Sequence, residues 1–130
     1  MPDLTSFGDV IFADDRCAVL LHPDSSVAGH AMVVWKRHVE NLSDLDAAEL
    51  VHFTTTHTRA ERALLNETGR ERAILMKLGI QTPHLHLHIY PVAAGATRDD
   101  VMRAIDGTGR EERPREFVER LRRALTAASA

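Results

Sequence analysis

A single cysteine stands among the 130 residues, together with one tryptophan, one tyrosine and four phenylalanines. Cys17 has no partner in the chain, so no intrachain disulfide can staple the fold and an ordinary apolar core must hold it. Its place before Ala18-Val19-Leu20-Leu21 marks it as a small buried hydrophobe rather than a nucleophile. No apolar run approaches the roughly 18 residues that read as a membrane-spanning helix. The opening Met1-Pro2-Asp3-Leu4-Thr5-Ser6 lacks the basic start and apolar core of a secretory signal, so the expectation is a cytoplasmic protein with no membrane partner. Basic charge is not in excess: 16 Lys and Arg face 19 Asp and Glu, for a formal net charge of -3. That argues against a nucleic-acid surface, which needs clustered cations, but leaves small anionic substrates open, because local donors bind them. There is no internal repeat, and the length suits one domain over residues 1–130.

What the chain does have is histidine, eight in all, with three inside five residues. In His84-Leu85-His86-Leu87-His88-Ile89-Tyr90-Pro91 each histidine is separated from the next by a leucine. Side chains on a strand alternate faces with a period of two, so the pattern predicts a β-strand with His84, His86 and His88 on one face and Leu85, Leu87 and Ile89 on the other. Packing does not ask for such a row, since β-branched or aromatic residues fill a strand better and every buried imidazole needs hydrogen-bond partners.

Two chemistries could use it. Neutral imidazoles can converge on a transition metal, but at ~3.4 Å per residue the Cβ atoms of His84 and His88 lie about 13 Å apart. Two imidazoles sharing one ion span only about 11 Å between Cβ atoms, given a metal–nitrogen bond of ~2.1 Å. Neighbouring pairs could chelate; the whole row on a flat strand could not. The alternative is nucleophilic attack on phosphorus through a phosphoramidate on an imidazole nitrogen, later displaced by water. His86 suits that role because it has an imidazole on each side to orient it, offset charge and assist a leaving group.

Around this row the chain reads as short strands and helices. Residues 9–21 predict a hairpin, with Asp14 and Asp15 as turn formers. His22-Pro23-Asp24-Ser25-Ser26 is a polar loop and a ligand candidate, followed by Gly29 and the strand Ala31-Met32-Val33-Val34-Trp35. Lys36-Arg37-His38 reads as a solvated strand end. Ser43 is the expected N-cap of a long helix whose apolar stripe runs through Leu50, Phe53, His57, Ala60 and Leu64 and which ends near residues 66–69. Arg72 to Leu78 predicts a strand buried on both faces, and Gly79-Ile80-Gln81-Thr82-Pro83 a turn into the histidine strand, with Gln81 and Thr82 offering donors beside it. A short helix over Asp99–Ile105 and a final one opened by Pro114, with Phe117, Leu121, Ala124 and Leu125 as its apolar face, form a C-terminal extension over about residues 97–128. The predicted class is α+β, a five-stranded antiparallel sheet with one long helix and C-terminal helices.

His84-Leu-His86-Leu-His88-Ile-Tyr90 resembles the motif of the histidine triad (HIT) superfamily of nucleotide hydrolases and transferases. Gly29-His30-Ala31-Met32-Val33-Val34 is similar to that family's histidine-then-apolar-strand segment, and Phe12-Ala13-Asp14-Asp15-Arg16-Cys17 resembles the turn preceding it. The likeness covers roughly residues 9–92. It implies a HIT-like fold and a homodimer, with a small nucleotide or phosphorylated molecule as substrate; no cofactor and no metal are expected, because the row is too long for all three histidines to meet one ion and no acidic cluster offers a magnesium site. By motif match, His86 would attack the α-phosphorus, His88 would assist the leaving group, and His84 and His30 would orient and stabilise. The loop carrying His22 and Asp24 would contact the nucleoside, and Gln81 and Thr82 phosphate oxygens. Two positions depart from the family pattern: His22 stands where many members carry Asp or Asn for the ribose, and residues 72–80 contain no Asn. The other classes compatible with these residues are a nucleotide-binding protein with little turnover and a metal-binding protein using His86, one neighbouring histidine and His30.

Overall fold

Short β-rich segments separated by turn residues pair into one sheet: β1 (Asp9–Ala13), β2 (Cys17–Leu21), β3 (Ala31–Trp35), β4 (Arg72–Met76) and β5 (His86–Val92). Their spatial order is β1-β2-β3-β5-β4, and every neighbouring pair is antiparallel. Three helices accompany them, α1 (Ala47–Thr68), α2 (Arg98–Asp106) and α3 (Arg115–Ser129), giving the α+β architecture expected from the sequence. The structure is a computed structural model that describes residues 8–22, 29–106 and 115–129. The β1–β2 turn is made by Asp14, whose Oδ1 accepts from the backbone N–H groups of Arg16 and Cys17, both at 2.8 Å.

The alternation along the strands divides the sheet into two unlike faces. Val19, Leu21, Val33, Trp35, Leu87 and Ile89 share one cluster with Phe53, Ala60 and Leu64 of α1 and with Phe117, Leu121 and Leu125 of α3. Phe53, Leu64 and Leu121 are withdrawn completely from water, worth roughly 1.5–3 kcal/mol each. Cys17 lies in the same core. The other face carries Ala18, Leu20, Met32 and Val34, and β5 contributes His86 opposite Val34 and His88 opposite Met32. Chemistry and core thus occupy opposite sides of the same strand. No helix among the described residues is long and apolar enough to cross a membrane.

Four expectations are corrected. The N-cap of α1 is Asp46, not Ser43: its carboxylate accepts from Glu49 N at 2.9 Å while Glu49 accepts from Asp46 N at 3.0 Å, a reciprocal capping box. Ser43 falls instead within a single 3₁₀ turn, Leu42–Asp44. Leu50 is 40 % exposed, because the buried stripe of α1 begins only at Phe53. β4 is an edge strand and not a doubly buried one; Leu75 is 54 % exposed, since a strand with a neighbour on one flank lies at the margin of the helix layer. Finally, β5 begins at His86, so His84 precedes the strand.

Gly29 sets the entry to β3. Its φ of +77° lies in the left-handed region, and a Cβ there would meet Thr68 Cγ2 at 2.9 Å and Pro91 Cγ at 3.3 Å. Gly29→Ala should therefore destabilise the protein by about 1–3 kcal/mol, from backbone strain and the clash with the end of α1. Chemical denaturation of the two proteins checks this, and equal midpoints would contradict it.

Candidate active site

Two backbone connections bring the histidines of this site together. β3 and β5 are paired, so His30, just ahead of β3, arrives beside His88 on β5. The segment leaving β3 then turns over the residues that enter β5: Trp35 N donates to Leu85 O at 3.1 Å and Leu85 N to Val39 O at 2.8 Å.

His86 is 7 % exposed, and its Nδ1 lies 2.7 Å from the carbonyl oxygen of His84. A carbonyl only accepts, so Nδ1 carries the hydrogen, and in the neutral ring Nε2 holds the lone pair. An imidazole in that tautomer presents Nε2 as a nucleophile. The His84 ring does not extend the row along the strand: Nε2 donates to the Trp35 carbonyl and Nδ1 lies 3.1 Å from Nδ1 of His38. The triad is thus split. His86 and His88 neighbour each other with ring centroids 5.1 Å apart, while His84 contributes its backbone carbonyl to the site and turns its ring into the loop after β3.

His88 Nδ1 and His30 Nε2 are 2.9 Å apart. Burial depresses both pKa values from the ordinary 6.5, with neighbouring imidazoles adding to the shift, to about 4 for His88 and about 2 for His30. Both rings are neutral at physiological pH and share one hydrogen. His30 Nδ1 is buried without a partner. A buried lone acceptor is tolerated better than an orphaned N–H, which favours His30 donating from Nε2 and leaves the proton of His88 on Nε2, available to a bound oxygen. His30 is sandwiched by His22, with centroids 4.6 Å apart and planes 9° from parallel, and by Tyr90 at 4.0 Å and 21°. These ring contacts fix His30 without charge.

Of the residues singled out from sequence, His22, His30, His86 and His88 meet on this face, and His84 reaches it through its backbone. Thr82 accepts at its carbonyl from His84 N at 2.8 Å, and so shapes the turn into β5. Gln81 is exposed on the same turn. Asp24 lies outside the described residues. His38, read from sequence as part of a solvated strand end, is the member that was missed; its contact with His84 spans 46 positions and carries no local signature. Asp14, Cys17 and His52 bring potential metal-ligand atoms within 4.8 Å of one another, away from the triad. Each already has a partner: Asp14 Oδ2 with His52 Nε2 at 2.8 Å, and the Cys17 thiol with Thr56 Oγ1 at 3.3 Å.

Keeping several histidines neutral has a consequence for stability. Burial also lowers the pKa values of His84 and His57. Below about 6.5 the unfolded chain takes up protons that the folded chain refuses until about 4 for His88 and about 2 for His30. The stabilisation is fully present above 6.5 and is lost as pH falls toward those folded values. The thermal midpoint should drop between about pH 7.5 and about pH 5, and His88→Gln should lessen the drop. Calorimetry at the two pH values decides; an unchanged midpoint would contradict the neutral assignment.

A family model described as "HIT domain" matches residues 5–94. Among solved structures, a histidine triad protein from Bradyrhizobium japonicum is 23% identical, with 94% of this chain and 93% of that one covered at a TM-score of 0.74. A histidine triad (HIT) protein from Sinorhizobium meliloti is 20% identical over 98% of this chain and 95% of its own, at a TM-score of 0.71. A zinc-bound histidine triad family protein from Mycobacterium smegmatis is 22% identical over 92% and 85%, at 0.68. With the family model spanning well over half of the sequence, and His84, His86 and His88 within the match, the chain belongs to the HIT family.

Proposed function

We propose that this protein is a hydrolase or nucleotidyl transferase that cleaves a nucleoside phosphoramidate or phosphoanhydride through a covalent nucleotidyl-histidine on His86. The observation that carries the reading is the 2.7 Å bond from His86 Nδ1–H to the His84 carbonyl, which in the neutral ring leaves Nε2 as the lone pair. In the first step Nε2 forms a bond to the α-phosphorus, and the bond from phosphorus to the leaving amine or phosphate breaks. The electron pair leaves with that group, which takes up a proton from solvent, while His86 keeps its Nδ1–H as the nucleotidyl-imidazolium. In the second step water attacks the same phosphorus and loses a proton to solvent, the P–N bond breaks with its electron pair returning to Nε2, and a nucleoside monophosphate is released.

His88 assists by donating its Nε2–H to a phosphoryl or leaving-group oxygen. A neutral imidazole with its pKa near 4 stabilises charge as a hydrogen-bond donor without handing over a proton of its own. His30 positions His88, and His84 positions His86. His22, Asp24, Gln81 and Thr82 are the residues proposed to contact substrate. His22 offers a stacking ring where a carboxylate would accept from two ribose hydroxyls, so sugar recognition in this chain depends less on charge.

A metal is not required in this reading, because the rings of His84 and His86 are directed to different partners. His86→Ala should lower turnover of an adenosine 5′-phosphoramidate by about 10³-fold or more, since no other group forms the intermediate. Wild-type turnover should persist in strong chelator, and mass spectrometry of quenched protein should find an adenylyl adduct on His86. Activity that vanishes in chelator and returns with zinc would replace this reading with the metal one.

We further propose a homodimer joined along β4. Among the described residues that strand has a partner on one flank only, and Leu75, Leu78 and Ile80 beside it are 54%, 52% and 81% exposed. An unpaired edge next to exposed apolar residues is a template for pairing with a second copy. Sedimentation equilibrium should give twice the chain mass, falling to one chain in the Leu75→Lys, Ile80→Lys double variant; a monomeric wild type would refute the proposal.

A further inference from the structure

The chemistry proposed for His86 depends on the His84 carbonyl, and the contacts around His84 show what secures it. Residues 35–39 form a strap over the entry to β5. Trp35 N donates to Leu85 O and Leu85 N to Val39 O, at 3.1 and 2.8 Å, so both ends of the strap grip Leu85. Between those ends Lys36 N donates to Arg16 O at 2.8 Å. Arg37 forms a forked ion pair with Glu49 on α1, with Nη2 2.9 Å from both carboxylate oxygens and Nε 3.2 Å from one. The backbone on either side of His38 is therefore held, and His38 meets His84 with ring centroids 5.3 Å apart.

We propose that His38 is a positioning residue of the active site, its Nδ1–H donating to Nδ1 of His84 and so fixing the residue whose carbonyl orients the His86 nucleophile. The assignment follows from donors and acceptors. The Trp35 carbonyl can only accept, which puts the hydrogen of the His84 ring on Nε2. Burial keeps that ring neutral, so its Nδ1 is a lone pair. Nδ1 of His38, 3.1 Å away, must supply the hydrogen. His38 donates from Nδ1 whether or not its Nε2 also carries a proton, so the bond survives a change in the charge of His38. Without it, the buried Nδ1 of His84 has no donor, the ring is held at Nε2 by the Trp35 carbonyl alone, and the carbonyl aimed at His86 Nδ1 is less firmly placed. Because misplacing a nucleophile costs rate rather than ground-state affinity, the effect belongs in kcat.

This inference rests on His86 being the nucleophile, and its test separates the two claims. With the adenosine 5′-phosphoramidate as probe, His38→Ala should lower kcat by ~10- to 100-fold while KM stays within ~3-fold. His38→Asn, whose amide N–H reaches a similar point, should recover most of the lost kcat. Nitrogen-15 NMR of the wild type should find His38 with Nδ1 protonated at alkaline as well as neutral pH, reverting to the commoner Nε2–H tautomer in His84→Ala. The proposal is overturned by an unchanged kcat in His38→Ala, by an Asn variant as impaired as the Ala one, or by an Nε2–H tautomer at His38 in the wild type. Turnover surviving in His86→Ala would instead remove the nucleophile assignment, and the tautomer spectrum reports the His38–His84 bond whether or not there is turnover.

Discussion

The pairing of β3 with β5 is the constraint on which the rest depends. Met32 lies opposite His88 and Val34 opposite His86, so a strand with no catalytic side chain of its own sets the height and face of two histidines. The same register delivers His30 to His88 at its start and the His38 strap to His84 at its end. Because a one-residue slip would send Leu85, Leu87 and Ile89 to the histidine face, core burial and site geometry enforce one register together. The site inherits its precision from the core.

That coupling also explains how so many imidazoles are gathered without charge. His30 and His84 are almost fully buried and His88 largely so, and burial holds all three below the ordinary imidazole pKa. The fold resolves this by giving most ring nitrogens a specific partner: a carbonyl for His86, a carbonyl and a second imidazole for His84, and an imidazole for His88. The result is a set of fixed tautomers. Under the proposed function, a phosphoryl group would meet lone pairs and N–H donors already oriented, the cost of arranging them having been met by folding.

On the opposite face α1 and α3 do the work of stability. α3 packs Phe117, Leu121 and Leu125 into the same core as α1, and Arg120 pairs with Glu67 of α1 at 2.6 Å. The C-terminal helix is thus part of the scaffold under the sheet. α1 also reaches the active-site loop, since Glu49 in its first turn holds Arg37 beside His38. One helix therefore supports both the back of β5 and the strap at its entry.

Much of this was legible in the residues. The His-Leu-His-Leu-His alternation specified a strand with a core face and a chemical face, because side-chain direction on a strand is a local property of the backbone. The five strands, the long helix ending at Gly69 and the apolar face of the last helix followed from the same local periodicities. Capping was less legible: Ser43 and Asp46 both carry capping side chains, and the choice fell to Asp46 through its reciprocal bond with Glu49. The exposure of β4 was not legible at all, since Ala73-Ile74-Leu75-Met76 is equally compatible with a central or an edge strand until the sheet order is known. The sequence by itself determined which residues are candidates for the chemistry and on which face of the sheet His86 and His88 stand. Only the tertiary structure decided that His84 leaves the row to bond with Trp35 and His38, that His22 stacks on His30, and which nitrogen of each ring bears its hydrogen. Those outcomes rest on contacts between residues 8 to 58 positions apart, where no local pattern constrains the partner and packing alone selects it.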